Sequence, residues 1–257
     1  MKGCVSMSLF TFKKGLHLPY NKEFTKDKSI EIFKPKKELI FPLSQHIGAP
    51  CEPIVEVGQK VLVNEKIADS SAFISAPVHS SVSGTIKDIR EIQSINGSTT
   101  QAIIIENDSK YEKSPRENLK YSSELSLKDV VKLVKDHGIV GLGGATFPCH
   151  VKLNVKEDKE IKYIIINAAE CEPYLTCDHR VMLEYTEEII GGLRILLELF
   201  PKALIYIGIE DNKLNAIDKF KSILGEDNKI KVMPLKSKYP QGSEKHLIYA
   251  LTKLQVP

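Results

Sequence analysis

Residues 161–167 read IKYIIIN, and residues 203–209 read ALIYIGI. Each is an unbroken apolar run of strand length, rich in β-branched residues, and the first ends on the polar Asn167. An unbroken run, as opposed to alternation, is the pattern of a parallel strand buried on both faces. Residues 178–200 between them carry helical periodicity, with Gly191-Gly192 marking a break or a close packing point. A helix over 212–224, a strand over 229–234 and a helix over 242–254 follow, the last with a well-suited capping start at Gly242-Ser243-Glu244. Strict alternation of this kind predicts an α/β layer. In open sheets of that class, ligands bind beyond the carboxyl ends of the strands. Three loops sit there: Asn167-Ala168-Ala169-Glu170-Cys171-Glu172-Pro173, Glu210-Asp211-Asn212-Lys213 and Tyr239-Pro240-Gln241-Gly242-Ser243-Glu244. All are polar and rich in functional groups.

Upstream, residues 137–148 read HGIVGLGGATFP, with glycine at 138, 141, 143 and 144. Glycine lets backbone approach a ligand closely and makes positive φ inexpensive. Successive N–H groups in such a loop can form an anion-binding nest. A phosphate cradle for a nucleotide or flavin and an ordinary glycine-rich turn are both compatible with this loop by itself. Together with the three strand-end loops it can form one site. The helix before it has Ser126 as N-cap, apolar residues at Leu127, Val130, Val131 and Val134 on one face, and His137-Gly138 as its stop.

The 39–107 region reads as all-β. Short apolar segments recur at 39–41, 54–57, 61–63, 82–86 and 102–105, separated by turn residues that include Gly48, Gly58, Gly84 and Asn96-Gly97. Such spacing implies a small barrel or sandwich. VEVGQKVLVNEKIAD followed by SAPVHSSVSGTIKDI resembles the biotinyl/lipoyl-type barrel-sandwich hybrid. Carrier domains of that type place a modifiable lysine in the hairpin between the halves. Here the hairpin is Asp69-Ser70-Ser71-Ala72-Phe73, so a scaffold is expected, not a swinging arm. His46 and His79 are read as structural or surface residues, with no partner at metal-ligand spacing. The resulting division is an extended arm over 1–38, a barrel-sandwich hybrid over 39–110, a linker over 111–126 and a Rossmann-like domain over 127–257.

Composition narrows the function class. The chain has 257 residues, with 42% apolar and 27% charged residues, which suits a folded soluble protein and argues against disorder. Net charge is +3, but the charges alternate and form no concentrated basic stripe, so no nucleic-acid partner is expected. No apolar run reaches bilayer length, and the first residues carry no signal-peptide pattern, which predicts a cytoplasmic protein. Five cysteines, Cys4, Cys51, Cys149, Cys171 and Cys177, are odd in number and widely spaced, unlike a disulfide framework. Cys171, Cys177 and His179 lack a standard zinc spacing, and no metal site is expected. Cys149 is read as a small buried filler. Glu170 and Glu172 share a face if the strand continues through them, as an acid/base pair or as capping and loop ion-pair groups.

Several of these segments together resemble a known family. GLGGATFPCHVKLN, INAAECEPYLTCDHR, YIGIEDNK and YPQGSEKHLIYAL, with FPLSQHIGAP and SAPVHSSVSGTI ahead of them, resemble RnfC of the Rnf electron-transport complex. The likeness runs from about Phe10 to the end. The α/β half is also similar to the NADH- and FMN-binding flavoprotein of respiratory complex I, although Leu142 replaces an arginine and Ala169 an aspartate of that pattern.

The resemblance implies an electron entry point at which NADH reduces FMN. Gly141, Gly143, Gly144 and Ala145 would then line the FMN phosphate and ribityl chain, with Lys152 supplying positive charge. Asn167, Glu170 and Glu172 would edge the flavin and nicotinamide pocket, and Glu210, Asp211 and Asn212 its other side. Glu170 would orient the nicotinamide, and the carboxylates would disfavour the 2′-phosphate of NADPH. Hydride transfer takes place on the cofactor and needs no protein acid or base. The family's β-grasp domain and two Cys-x-x-Cys-x-x-Cys-x-x-x-Cys-Pro clusters do not occur in this sequence. The resemblance therefore implies that the 4Fe-4S clusters lie outside this chain and that the chain alone is not fully active. It also implies other Rnf subunits as partners, ferredoxin as an indirect one, and a peripheral position on the inner face of the cell membrane. A non-catalytic docking scaffold and an electron carrier to a soluble reductase are the alternative functions.

Overall fold

The computed structural model describes residues 9–35, 37–95, 97–115, 123–142, 146–156 and 160–256. The chain forms two compact units, Phe33–Glu157 and Met1–Ile32 with Asp158–Pro257.

The first unit is β-rich. A four-stranded sheet runs in the order β1 (Glu38–Pro42), β7 (Thr99–Asn107), β6 (Gly84–Gln93) and β3 (Lys60–Val61). A smaller sheet runs β2 (Glu52–Pro53), β4 (Lys66–Asp69), β5 (Val78–His79). Phe41, Leu43, Val61, Ile67, Val82, Ile86, Ile103 and Ile105 fill the space between them. The long β6–β7 hairpin turns at Ser94 and Ser98, where Gly97 has φ +82°; Asn96 of the expected turn lies outside the described residues. The expected strand at 54–57 contracts to β2 just before it, and β4 and β5 went unforeseen. Strands of two to four residues are too short for alternation to be readable, and tertiary pairing decides them. Residues 112–114, within the expected linker, are pinned to the barrel: Val63 N–H donates to Glu112 O (2.8 Å) and Ser114 N–H to Val63 O (2.9 Å).

Helix α1 (Leu127–Asp136) begins at Ser126 as the sequence predicts. Ser126 accepts from the Asp129 amide and Asp129 from the Ser126 amide, a full capping box. After the glycine loop comes a short helix not foreseen, α2 (Cys149–Leu153).

The second unit is a three-stranded parallel sheet in the order β10 (Ile230–Leu235), β9 (Leu204–Glu210), β8 (Tyr163–Ala168). Central β9 is almost wholly buried, whereas β8 is half-buried because it lies at an edge. The expected 178–200 helix is two helices, α3 (Cys177–Glu184) and α4 (Thr186–Leu199). The break falls at Tyr185 (φ −125°), where the buried Thr186 hydroxyl donates to Met182 O. Gly191 and Gly192 lie inside α4, facing open space. Helices α5 (Leu214–Leu224) and α6 (Glu244–Thr252) complete the layer. Ser243 takes the N-cap position of α6 but makes no side-chain cap bond. The N-terminal arm runs beside β10: Phe10 N–H donates to Pro234 O (2.8 Å) and Lys236 N–H to Phe10 O (3.0 Å).

Candidate functional site

Strand register places Asn167 beside Gly208, Ala168 beside Ile209, and Glu210 beside Leu235. The three predicted loops therefore leave the sheet at one level. They are also tied to each other. Asn167 Nδ2 donates to Gly242 O (2.7 Å), and Gly242 N–H donates to Cys171 Sγ (3.3 Å). Asp211 Oδ1 accepts from the Ser237 amide (3.0 Å) and from its hydroxyl, while Asn212 N–H donates to Ser237 Oγ (3.2 Å).

Two buried carboxylates stand inside this ring. Glu210 is fully buried; its Oε2 accepts from Lys213 Nζ at 3.0 Å. Lys213, 1% exposed, also donates to Ala169 O (2.8 Å) and Asn212 Oδ1 (3.0 Å). Burial pushes the Glu210 carboxyl up, and the Lys213 charge pulls it back. Glu210 Oε1 has no hydrogen-bond partner among the described residues.

Glu170 is buried with φ +49°. Its Oε1 accepts from the Asp178 amide (2.7 Å), so it caps the first turn of α3 from outside the helix. Its Oε2 has no hydrogen-bond partner among the described residues and lies 3.9 Å from Lys22 Nζ. Burial pushes this carboxyl up; the Asp178 amide, Lys213 and Lys22 pull it back. Glu172 is exposed, and β8 ends at Ala168, so Glu170 and Glu172 do not share a strand face. The chain turns at Glu170 into the left-handed region, which separates the two carboxylates; of the two sequence readings, capping holds for Glu170. Lys22, Lys213 and the fully buried Gln241, whose amide atoms have no partner among the described residues, were not singled out in the sequence. For Lys213 the three-residue spacing from Glu210 was the available signal; for Lys22 and Gln241 there was none.

Cys171 and His179 go to separate partners. His179 Nε2 contacts Asn215 Oδ1 at 2.8 Å, joining α3 to α5. Donor atoms of Glu170, Cys177 and Asp178 lie within 4.8 Å of one another, a grouping the sequence spacing did not suggest. The Lys22 ammonium already stands beside Glu170 as its cation.

In the other unit, Gly138 (φ +64°) ends α1 where a Cβ would lie 2.5 Å from Pro77 O, so the glycine loop starts in close contact with the barrel. Gly141 N–H donates to Phe147 O (3.0 Å), Cys149 N–H to Ile139 O (2.9 Å), and the Thr146 hydroxyl to Gln45 O (2.9 Å). Gly143, Gly144 and Ala145 lie outside the described residues. Lys152 Nζ stands 3.8 Å from the position of a Gly141 Cβ and 5.9 Å from the Phe147 ring centroid. An exposed ammonium beside a loop without a side chain fits an anionic phosphate. His46 is a buried structural residue, its Nε2 accepting from Ala76 N–H (3.0 Å). Cys149 is half-buried, and burial pushes its thiol up.

No helix among the described residues is long and apolar enough to cross a membrane. A family model described as the RnfC barrel sandwich hybrid domain matches residues 10–110, and one described as the Nuo51 FMN-binding domain matches residues 134–257. The RnfC-type component of the Na(+)-translocating ferredoxin:NAD(+) oxidoreductase complex of Acetobacterium woodii is 41% identical over 250 residues, covering 96% of this chain and 56% of that protein. Its counterpart in the proton-translocating ferredoxin:NAD(+) oxidoreductase complex of Clostridium ljungdahlii is 42% identical over 252 residues, covering 97% and 54%. The counterpart in an ion-translocating oxidoreductase complex of Rhodobacter capsulatus is 36% identical, covering 96% and 48%. The chain spans about half the length of these relatives. With a barrel-sandwich half followed by an FMN-binding-type half in the same order, the chain belongs, over the length it spans, to the RnfC family of the Rnf-type electron-transport oxidoreductase complexes.

Proposed function

We propose that this chain binds FMN and NADH and serves as the NADH-side module of an Rnf-type complex. One observation carries the reading: three strand-end loops tied into one ring around two buried carboxylates, each with an oxygen that has no hydrogen-bond partner among the described residues. Buried polar groups are ordinarily satisfied, so open valences at a ligand-binding level of the fold suit a polar ligand.

FMN, when bound, supplies the hydride-accepting chemistry. The protein binds and orients. Backbone N–H groups of Gly143, Gly144 and Ala145 face the phosphate, Gly141 keeps the approach clear, and Lys152 balances the phosphate charge. Asn167, Glu170 and Glu172 edge the nicotinamide and flavin, with Glu170 orienting the nicotinamide amide. Glu210, Asp211 and Asn212 form the opposite edge, and the carboxylates repel a 2′-phosphate. Electrons pass through 4Fe-4S clusters outside this chain, to or from ferredoxin, with other Rnf subunits as partners at the inner face of the membrane.

Reconstitution tests this. The chain incubated with FMN and desalted is expected to keep the flavin absorption bands and to bleach with NADH, with a weaker response to NADPH. A chain that retains no FMN and does not respond to NADH favours the docking-scaffold reading. Glu170→Gln is expected to weaken NADH binding; unchanged affinity removes that residue's role.

A further inference from the structure

The N-terminal arm brings a lysine to the loop that follows β8. Lys22, 7% exposed, donates from Nζ to the carbonyl oxygens of Glu170 (2.9 Å), Glu172 (3.0 Å) and Leu175 (2.5 Å). All three ammonium protons are thereby committed, and the same nitrogen stands 3.9 Å from Glu170 Oε2. The loop it grips holds two non-glycine residues in the left-handed region, Glu170 (φ +49°) and Tyr174 (φ +67°). Such conformations persist only where the surroundings hold them. Those surroundings are the arm: Tyr174 N–H donates to Tyr20 O (2.8 Å), and the Thr176 hydroxyl donates to Thr25 Oγ1 (2.8 Å). The next helix continues the attachment, since Arg180 Nη1 donates to Lys26 O (3.1 Å).

A lysine with no free donor does not reach for a ligand. It gathers carbonyls that would otherwise repel each other and fixes the turn that carries the acid. We propose that Lys22 is a positioning residue for nicotinamide recognition, clamping residues 170–175 so that the Glu170 carboxylate is held in its binding orientation. This rests on the reading of Glu170 given under Proposed function. The Glu170–Cys177–Asp178 group is not a competing cation site here, because Lys22 already supplies the positive charge at Glu170.

Lys22→Met keeps the apolar stem and removes the charge and its three donors. In the FMN-reconstituted chain it is expected to weaken NADH affinity about tenfold while FMN affinity stays within about twofold. In a Glu170→Gln background the same substitution is expected to add less than about twofold, because its effect passes through that carboxylate. Amide exchange at residues 171–176 is expected to accelerate about tenfold while β9 keeps its protection. Lys22→Arg retains charge and donors, and is expected to show the same selective pattern at smaller amplitude; it covers the case in which Lys22→Met does not fold. Unchanged NADH affinity, a fully additive loss with Glu170→Gln, or a uniform rise in exchange across β8–β10 overturns the proposal. If the unsubstituted chain takes up no FMN, the parent reading falls and exchange alone decides the clamp. Acceleration confined to 171–176 then upholds the clamp, and unchanged exchange overturns it.

Discussion

The Glu210–Lys213 pair shows how little an isolated residue type says before its surroundings are known. Both side chains are removed from water, and each is tolerable only because the other is there. Removing one partner of a buried pair leaves an uncompensated charge, whereas removing both can be nearly neutral. Lys213→Met is therefore expected to cost about 3–5 kcal/mol in urea unfolding, and the double substitution Glu210→Gln/Lys213→Met to cost clearly less. Equal costs for the single and double substitutions would mean that the pair is not coupled. Gly138 sets a similar residue-scale constraint by sterics. With φ +64° and a Cβ position 2.5 Å from Pro77 O, Gly138→Ala is expected to cost at least about 1–2 kcal/mol. A melting temperature unchanged from that of the unsubstituted chain would contradict it.

At the scale of elements, α1 is the segment that local sequence specified best. Its capping box joins Ser126 and Asp129, and the two hydrogen bonds hold the Asp129 carboxyl below its ordinary range. A carboxyl depressed on folding stabilises above its unfolded value and loses that contribution as pH falls through the folded one. Asp129→Asn is thus expected to destabilise the chain at neutral pH, with the difference from the unsubstituted chain vanishing below pH 3.8. Ser126→Ala is expected to cost about 1 kcal/mol, read in the same thermal melts. The parallel strands were equally legible, because β8, β9 and β10 are long apolar runs between helices. The short strands β2, β4 and β5 were not, and neither was the break at Tyr185, since both depend on partners distant in sequence. The strand-end loops could be nominated from topology, and their shared level follows from strand register. The left-handed turn at Glu170, which parts it from Glu172, had no sequence signal, because glutamate rarely adopts it.

At the scale of the whole molecule, the arm and the sheet about 200 residues further along form one unit. Phe10 extends the hydrogen bonding of β10, Lys22 grips the loop after β8, and Lys238 Nζ donates to Phe12 O and to Lys14 O (2.8 Å). Deleting residues 1–32 is expected to leave Lys238 and the 170–175 carbonyls without these partners. Exchange protection should then fall at β10 and the three loops, while the β6–β7 hairpin keeps its own. Loss of protection at β6–β7 as well would contradict two separately cored units.

The sequence by itself determined the α/β alternation, the β-rich first half, the cap of α1 and the loops at the carboxyl ends of the strands. These follow from periodicity and local chemistry, which act over a few residues. Only the tertiary structure decided that Glu170 and Glu210 are buried against Lys22 and Lys213, that the helix breaks at Tyr185 and that the arm holds the loop after β8. Those outcomes rest on burial and long-range hydrogen bonding, as with Lys22 and Glu170, which stand 148 residues apart in sequence and 2.9 Å apart across one hydrogen bond.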